Sequence, residues 1–153
     1  MNDVARIAGL SLFAALDDDQ RGHVAAIADE QQLPAGTVVF REGDPSEDVY
    51  VVAEGRVSLS MRVERRGETL ILSVGPGELL GWTGFQSTGT RVATARTVEA
   101  TTLVRLPSGP IRELCERDHD VGFALMKRAF AEVTRRLQET RMQLLDMFRG
   151  PEG

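Results

Sequence analysis

Gly77-Glu78-Leu79-Leu80-Gly81-Trp82-Thr83-Gly84-Phe85-Gln86-Ser87-Thr88-Gly89-Thr90-Arg91-Val92-Ala93-Thr94 carries four glycines in eighteen residues, with small hydroxylated residues between them and one arginine ahead of a strand-like run. Glycine lets backbone N–H groups approach a ligand closely. A short helical turn beginning near Gly81 or Trp82 would aim its free N–H groups, and the positive end of its dipole, at an anion. Arg91 would then close a fork on phosphate oxygens. The stretch reads as an anion cradle with phosphate as its natural guest. Taken alone, the same cluster of Gly, Ser and Thr also describes a plain turn between strands. The flanks bear on that choice.

Upstream, Pro34-Ala35-Gly36-Thr37-Val38-Val39-Phe40-Arg41-Glu42-Gly43-Asp44-Pro45, Val49-Tyr50-Val51-Val52 and Glu54-Gly55-Arg56-Val57 alternate β-branched or aromatic runs with glycine turns. That is the pattern of short strands. Val57, Leu59, Met61 and Val63 alternate with Arg56, Ser58, Ser60 and Arg62. Arg65-Arg66-Gly67-Glu68 turns the chain, and Leu70, Leu72 and Val74 alternate on the return. This is a β-hairpin with one buried face. Beyond the cradle, residues 92–99 and 101–106 read as a second strand pair around a turn. Roughly eight strands on short turns imply a closed antiparallel barrel or jelly roll.

Helical texture brackets the strands. Residues 10–16 form a short apolar turn. Asp17-Asp18-Asp19-Gln20 is a helix start: an Asp N-cap, acids in the first turn and Gln at the third helical position. Val24, Ile27 and Ala28 then make one apolar face. After Pro107 a short helix runs from Ser108 or Pro110 to Arg117, and a long one from near Asp118 to about Phe148. On the long helix Phe123, Met126, Phe130, Val133, Leu137, Thr140, Leu144 and Met147 alternate three- and four-residue spacings. They form a heptad seam broken by one polar residue, Thr140. The seam either packs on the barrel or pairs two long helices; its length favours a parallel two-helix dimer. The layout is one α+β domain: N-terminal helices over 1–33, a β jelly roll over 34–107 with the cradle at 77–94, and C-terminal helices over 108–149.

Composition narrows the function classes. The 153 residues suit a single domain with a real core. A content of 42% hydrophobic and 27% charged residues is ordinary for a globular protein. No apolar run approaches the ~20 residues of a membrane span, and the N-terminus lacks a secretory pattern. The lone Cys115 excludes an internal disulfide and any multi-cysteine zinc or iron–sulfur site within one chain. The cytoplasm is the expected compartment. The net charge of −5 is uneven: residues 1–54 hold eleven acids and three bases, residues 55–153 twelve acids and fifteen bases. No dense basic face suggests a nucleic-acid binder, while the mildly positive half contains the cradle. A jelly roll also raises the cupin reading, a metal enzyme with histidine ligands. Only His23 and His119 are present, both in helical segments. No nucleophile–base–orienter arrangement is visible, so neither catalytic residues nor metal ligands are expected. A metal or haem sensor using His23, His119 or Cys115 is the weakest reading.

Together the glycine turns and the cradle resemble the cyclic nucleotide-binding domain, as in the bacterial catabolite-activator (Crp–Fnr) superfamily, over about residues 12–140. The resemblance implies a jelly roll, a homodimer formed through the long helix, and a cyclic nucleotide ligand, cyclic AMP or cyclic GMP. In that family's phosphate-binding cassette a Gly-Glu pair is followed, after a short helix, by an arginine and small residues. Gly81 matches the glycine and Arg91 the arginine that pairs with the cyclic phosphate. Gly84 and Val92 match positions that offer backbone N–H groups, and Thr83 and Phe85 lie on the same turn. Trp82 departs from the pattern. It stands where the family has the glutamate that accepts a hydrogen bond from the ribose 2′-hydroxyl. That exchange removes a charge-assisted bond worth about 1.5–3 kcal/mol, one to two decades of affinity. Trp82 either fills the pocket, stacks on a different planar or cationic ligand, or swings out to leave weak nucleotide binding.

Thr134-Arg135-Arg136-Leu137-Gln138-Glu139-Thr140 resembles the matching part of the catabolite activator's long helix. The resemblance places Thr140 at the purine and leaves Arg136 to hold either a ligand or a neighbouring acid. The implied ligand-binding set is Gly81, Trp82, Thr83, Gly84, Phe85, Arg91, Val92, Arg136 and Thr140. Superfamily members that regulate transcription carry a helix-turn-helix after this helix. Here only Gly150-Pro151-Glu152-Gly153 follow Arg149, so a stand-alone effector domain, or a chain cut at the hinge, is expected, with no DNA-reading element. Two functions stay open. One is a non-enzymatic sensor domain with a degenerate cassette, acting on an unknown downstream protein. The other is a nucleotide-free dimerisation module whose pocket is closed by Trp82.

Overall fold

The computed structural model describes residues 6–7, 9–86 and 89–149. A 3-10 turn (Ser11–Phe13) and helix α1 (Asp18–Ile27) precede eight strands: β1 (Asp29–Leu33), β2 (Val38–Phe40), β3 (Asp48–Glu54), β4 (Val57–Val63), β5 (Gly67–Val74), β6 (Leu79–Leu80), β7 (Thr94–Thr97) and β8 (Thr101–Pro107). A second 3-10 turn, Trp82–Phe85, lies between β6 and β7, and helices α2 (Ser108–Arg117) and α3 (His119–Arg149) follow. Asp17 caps α1 as its sequence demands. Its Oδ1 accepts from the Gln20 N–H at 2.8 Å, and Gln20 Oε1 accepts from the Asp17 N–H at 3.0 Å. Each residue's otherwise orphaned backbone N–H is satisfied by the other's side-chain oxygen in this way.

The strands make two four-stranded antiparallel sheets, β1-β8-β3-β6 and β2-β7-β4-β5. This is the expected jelly roll. Side chains on a strand alternate between faces, and β3 shows what that produces. Tyr50 and Val52 point between the sheets, where they meet Phe40, Leu59, Leu80, Ala95 and Leu103. Val49 and Val51 point the other way, into a cluster with Val24, Ile111, Leu114 and Leu125 from the helices. The sheet is therefore buried on both faces, and its central strands read as continuous apolar runs.

Two strand expectations change. Residues 92–99 and 101–106 do not pair with each other: β7 pairs with β2 and β4, and β8 with β1 and β3. The chain crosses from one sheet to the other between them. Strand structure also begins at Asp29, ahead of Pro34; β1 is polar and pairs with β8 alone, as a sheet edge. The hairpin β4–β5 forms as expected, with a ladder from Val57↔Val74 to Val63↔Gly67.

Helix α3 has two faces. Val121, Leu125, Glu132 and Arg136 are buried against the body. The heptad seam faces outward: Phe123 is 69%, Phe130 75%, Leu137 49% and Met147 75% exposed. That seam does not pack on the jelly roll. No helix among the described residues is long and apolar enough to cross a membrane.

Candidate ligand-binding cassette

The cassette turn is built on two glycines. Gly81 takes φ 74° and ψ 41°, left-handed values that favour a residue without Cβ; an added Cβ would also collide with the Arg91 guanidinium. Trp82–Phe85 then form the helical turn anticipated from sequence. The Gly84 N–H donates to the Gly81 carbonyl at 3.0 Å, so this N–H is used within the turn. Gly84 lies so close to β3 that a Cβ would sit 2.7 Å from the Asp48 carbonyl carbon. Thr83 Oγ1 and Ser46 Oγ share a hydrogen bond of 2.8 Å. The loop between β2 and β3 thus anchors the turn, and it anchors Arg91 too. The Arg91 N–H donates to the Asp44 carbonyl at 2.7 Å, and the Arg91 carbonyl accepts from the Gly43 N–H at 2.8 Å.

Those anchors bury the Arg91 side chain, leaving the residue 4% exposed. Its guanidinium lies 4.2 Å from the Phe40 ring centroid and 5.9 Å from that of Tyr50. Nη1 donates to the Gly81 carbonyl at 3.1 Å and Nη2 to the Asp48 carbonyl at 2.7 Å. Nε has no partner. Among the described residues no carboxylate forms an ion pair with Arg91; the nearby Asp48 carboxylate is engaged by Arg105 at 2.9 Å. Burial pushes the Arg91 pKa below its ordinary value, and the charges of Tyr50, Asp48, Asp44 and Glu47 only partly restore it. Burial, with help from Asp48, pushes the neighbouring Tyr50 hydroxyl up to about 12. A buried cation without a directly paired carboxylate is costly, and an anion beside it would add to the partial compensation from Asp48, Asp44 and Glu47.

From the other side α3 contributes Arg136, 6% exposed. Its guanidinium stands 4.2 Å over the Trp82 ring, Nη2 donates to the Leu79 carbonyl, and Nε has no partner. This contact belongs to a larger clasp between α3 and the turn joining β5 to β6. Arg128 Nη2 donates to the Gly77 carbonyl at 2.9 Å. Arg135 Nη2 bridges Glu78 at 2.5 Å and Glu132 at 2.8 Å. Glu132, 5% exposed, also lies 3.7 Å from Arg136. Between clasp and cassette is a cavity of about 60 Å³ whose wall includes both arginines, Trp82, Thr83, Val92 and Phe40. Ligand pockets commonly measure roughly 300–1,000 Å³, so the Trp82–Arg136 stack takes up much of the room.

Of the residues expected from sequence, Gly81, Trp82, Thr83, Arg91, Val92 and Arg136 line this cavity together. Gly84 and Phe85 do not: the first is buried against Asp48, and the second packs toward the helix-side core. Thr140 is exposed, and its Oγ1 donates to the Arg136 carbonyl at 2.8 Å within its own helix. In the single chain it stands outside the cavity. Two participants were missed. Phe40, the floor under Arg91, gave no signal beyond an aromatic strand end. Glu132 lies three or four residues from Arg128, Arg135 and Arg136, a spacing that is visible in the sequence. Among the described residues no group of three or more His, Cys, Asp or Glu is placed to hold a metal.

Comparison with known proteins identifies the family. Residues 30–118 match the family model of the cyclic nucleotide-binding domain, and the chain belongs to that family. It is 31% identical over 137 residues to the cyclic AMP receptor protein of Thermus thermophilus, covering 89% of this chain and 61% of that one. Among solved structures it is 34% identical to the N-terminal domain of a transcriptional regulator from Streptomyces coelicolor, with a TM-score of 0.68 over 91% of this chain and 95% of that one. It is 27% identical to a putative cyclic nucleotide-binding protein from Geobacter metallireducens, with a TM-score of 0.76 over 90% and 99% of the two chains. The chain spans only part of its curated relatives, 28% of the length of one and 55% of another.

Proposed function

We propose that this chain is a non-enzymatic regulatory domain that binds a cyclic nucleotide, or a related phosphorylated anion, between the cassette turn and α3. Arg91 carries the reading. It is 4% exposed, has a free Nε and faces no paired carboxylate. A cyclic phosphate would satisfy both its charge and its spare donor. The name of the Thermus relative, a cyclic AMP receptor protein, points the same way. Trp82 in place of the family's glutamate leaves the cassette degenerate, so binding proceeds without that ribose contact.

Arg136 supplies the route for a signal. It lines the cavity while holding α3 to Leu79 and Trp82. A ligand that draws Arg136 away would shift α3 between two packings. The outward seam of α3 would pair two copies as a homodimer and pass the shift to a downstream protein. The small cavity favours a second reading, a dimerisation module that takes no nucleotide. Thermal melting with cyclic AMP, cyclic GMP and cyclic di-GMP separates the two. A ligand at a hundred times its dissociation constant adds ~2.7 kcal/mol, a rise of roughly 5–11 °C for a chain of this size. A flat response to all three favours the interaction module.

A further inference from the structure

Asp48 stands close to Arg91, yet its carboxylate pairs with a different arginine. Tyr50 and Val52 point between the sheets, and the alternation of a strand puts Asp48 on the same side. The Asp48 carbonyl already accepts from Arg91 Nη2 at 2.7 Å. Of the carboxylates whose charge acts on Arg91, Asp48 acts more strongly than Asp44 or Glu47, and those two are exposed, where water screens them. Tyr50, pushed up to about 12, is a neutral hydroxyl at neutral pH. Asp48 is thus the acid best placed to neutralise Arg91, and both of its oxygens are engaged elsewhere. Oδ1 accepts from Arg105 Nη1 at 2.9 Å and Oδ2 from the Tyr50 hydroxyl at 3.4 Å. Register fixes Arg105 for this contact. It stands opposite Tyr50 on β3 and Asp29 on β1, cross-strand partners share a face, and Asp29 Oδ2 lies 3.5 Å from its Nε. The Arg105 guanidinium therefore spans three strands between two acids, and Arg105 is not among the residues lining the cavity.

We propose that Arg105 is a positioning residue for anion binding: by holding the Asp48 carboxylate it keeps that acid from pairing with Arg91, and so leaves the buried cation for the ligand. The inference rests on the cyclic nucleotide reading above and adds to it a residue outside the cavity. Without Arg105 the Asp48 carboxylate loses its partner and turns to Arg91, the neighbouring buried cation that has no ion pair of its own. It then competes with the ligand from inside the protein.

The test is calorimetric titration with cyclic AMP of the wild type, Arg105→Gln, Asp48→Asn and the double variant. Arg105→Gln should bind about tenfold more weakly or worse, the effect of competing with one charged contact. Asp48→Asn removes the competitor. It should tighten binding by about tenfold in the Arg105→Gln background and by less than about threefold in the wild type, where the acid is already held. Charges acting only at a distance would give the same Asp48→Asn increment in both backgrounds, and a merely structural Arg105 would not be rescued by a second substitution. Either result, or wild-type affinity in Arg105→Gln, overturns the proposal while leaving the nucleotide site standing. Binding by none of the four proteins would remove the site reading, and this proposal with it. A crystal structure of ligand-free Arg105→Gln supplies a readout that needs no nucleotide. The Asp48 carboxylate in hydrogen-bond contact with the Arg91 guanidinium is expected, and a carboxylate still turned away from Arg91 overturns the proposal.

Discussion

Glu132→Gln removes the buried carboxylate that three arginines of the α3 clasp share, while keeping the side chain's shape. Glu132 is 5% exposed and reaches Arg135 at 2.8 Å, Arg136 at 3.7 Å and Arg128 at 3.8 Å. Burial pushes the Arg136 pKa below its ordinary value, and Glu132 is the largest charge opposing that. Taking one partner from a buried pair costs about 3–5 kcal/mol, because the other charge is left in a low-dielectric site. The Arg135 and Arg128 side chains are 44% and 36% exposed, and water takes over part of their loss. The Arg136 side chain, at 7%, has no such recourse. A loss of about 3 kcal/mol is expected, a fall of roughly 6–12 °C in melting temperature. Circular dichroism melts at fixed protein concentration measure it. Arg149→Gln, which breaks a pair with both side chains over 60% exposed, serves as control and should cost under about 0.5 kcal/mol. If Glu132→Gln melts within a degree of the control, the clasp is not what seats α3 over the cassette.

Three further outcomes follow from particular contacts. Burial raises the Glu78 carboxyl, but the Arg135 hydrogen bond, the Gly75 N–H and the arginine charges outweigh it and hold the pKa below the ordinary value. Its stabilising share is therefore present above the unfolded value near ~4.3 and is lost as the pH falls through the lower folded value; Glu78→Gln should flatten the acid limb of a stability profile. Gly84→Ala sets a Cβ against the Asp48 carbonyl, which is backbone and cannot yield, so a loss of about 1–3 kcal/mol is expected. Gly22→Ala, in a helix with nothing within 4 Å, should instead gain roughly 0.5–1 kcal/mol; paired melts of opposite sign check both. Leu137→Glu, on the exposed seam, should turn the proposed dimer into monomer in sedimentation experiments while leaving the cavity intact, and an unchanged mass would remove α3 as the dimer face.

Much of this architecture could be read locally. The reciprocal cap of Asp17 and Gln20, the hairpin from Val57 to Val74 and the turn after Gly81 each follow from residues a few positions apart. What escaped depended on distant partners. Asp29–Leu33 becomes a strand because β8 offers it an edge, against the polar character of its own residues. β7 and β8 are neighbours in sequence yet belong to different sheets, since each finds earlier strands to pair with. The heptad spacing identified one face of α3 and concealed the other. Arg136 meets Leu79 across 57 positions, and the Trp82 ring lies beneath it. The resemblance implied a carboxylate where Trp82 stands; that an arginine covers the Trp82 ring could not be read from the sequence.

Calorimetric titration of wild-type protein and Arg91→Gln with cyclic AMP bears most directly on the anion site. Gln keeps a polar side chain and removes the buried charge and its planar fork. Measurable binding by the wild type and its loss, by a hundredfold or more on the order of a deleted charged contact, is the expected result. Equal affinity of the two proteins would show that Arg91 is structural and that the cavity is not built for an anion.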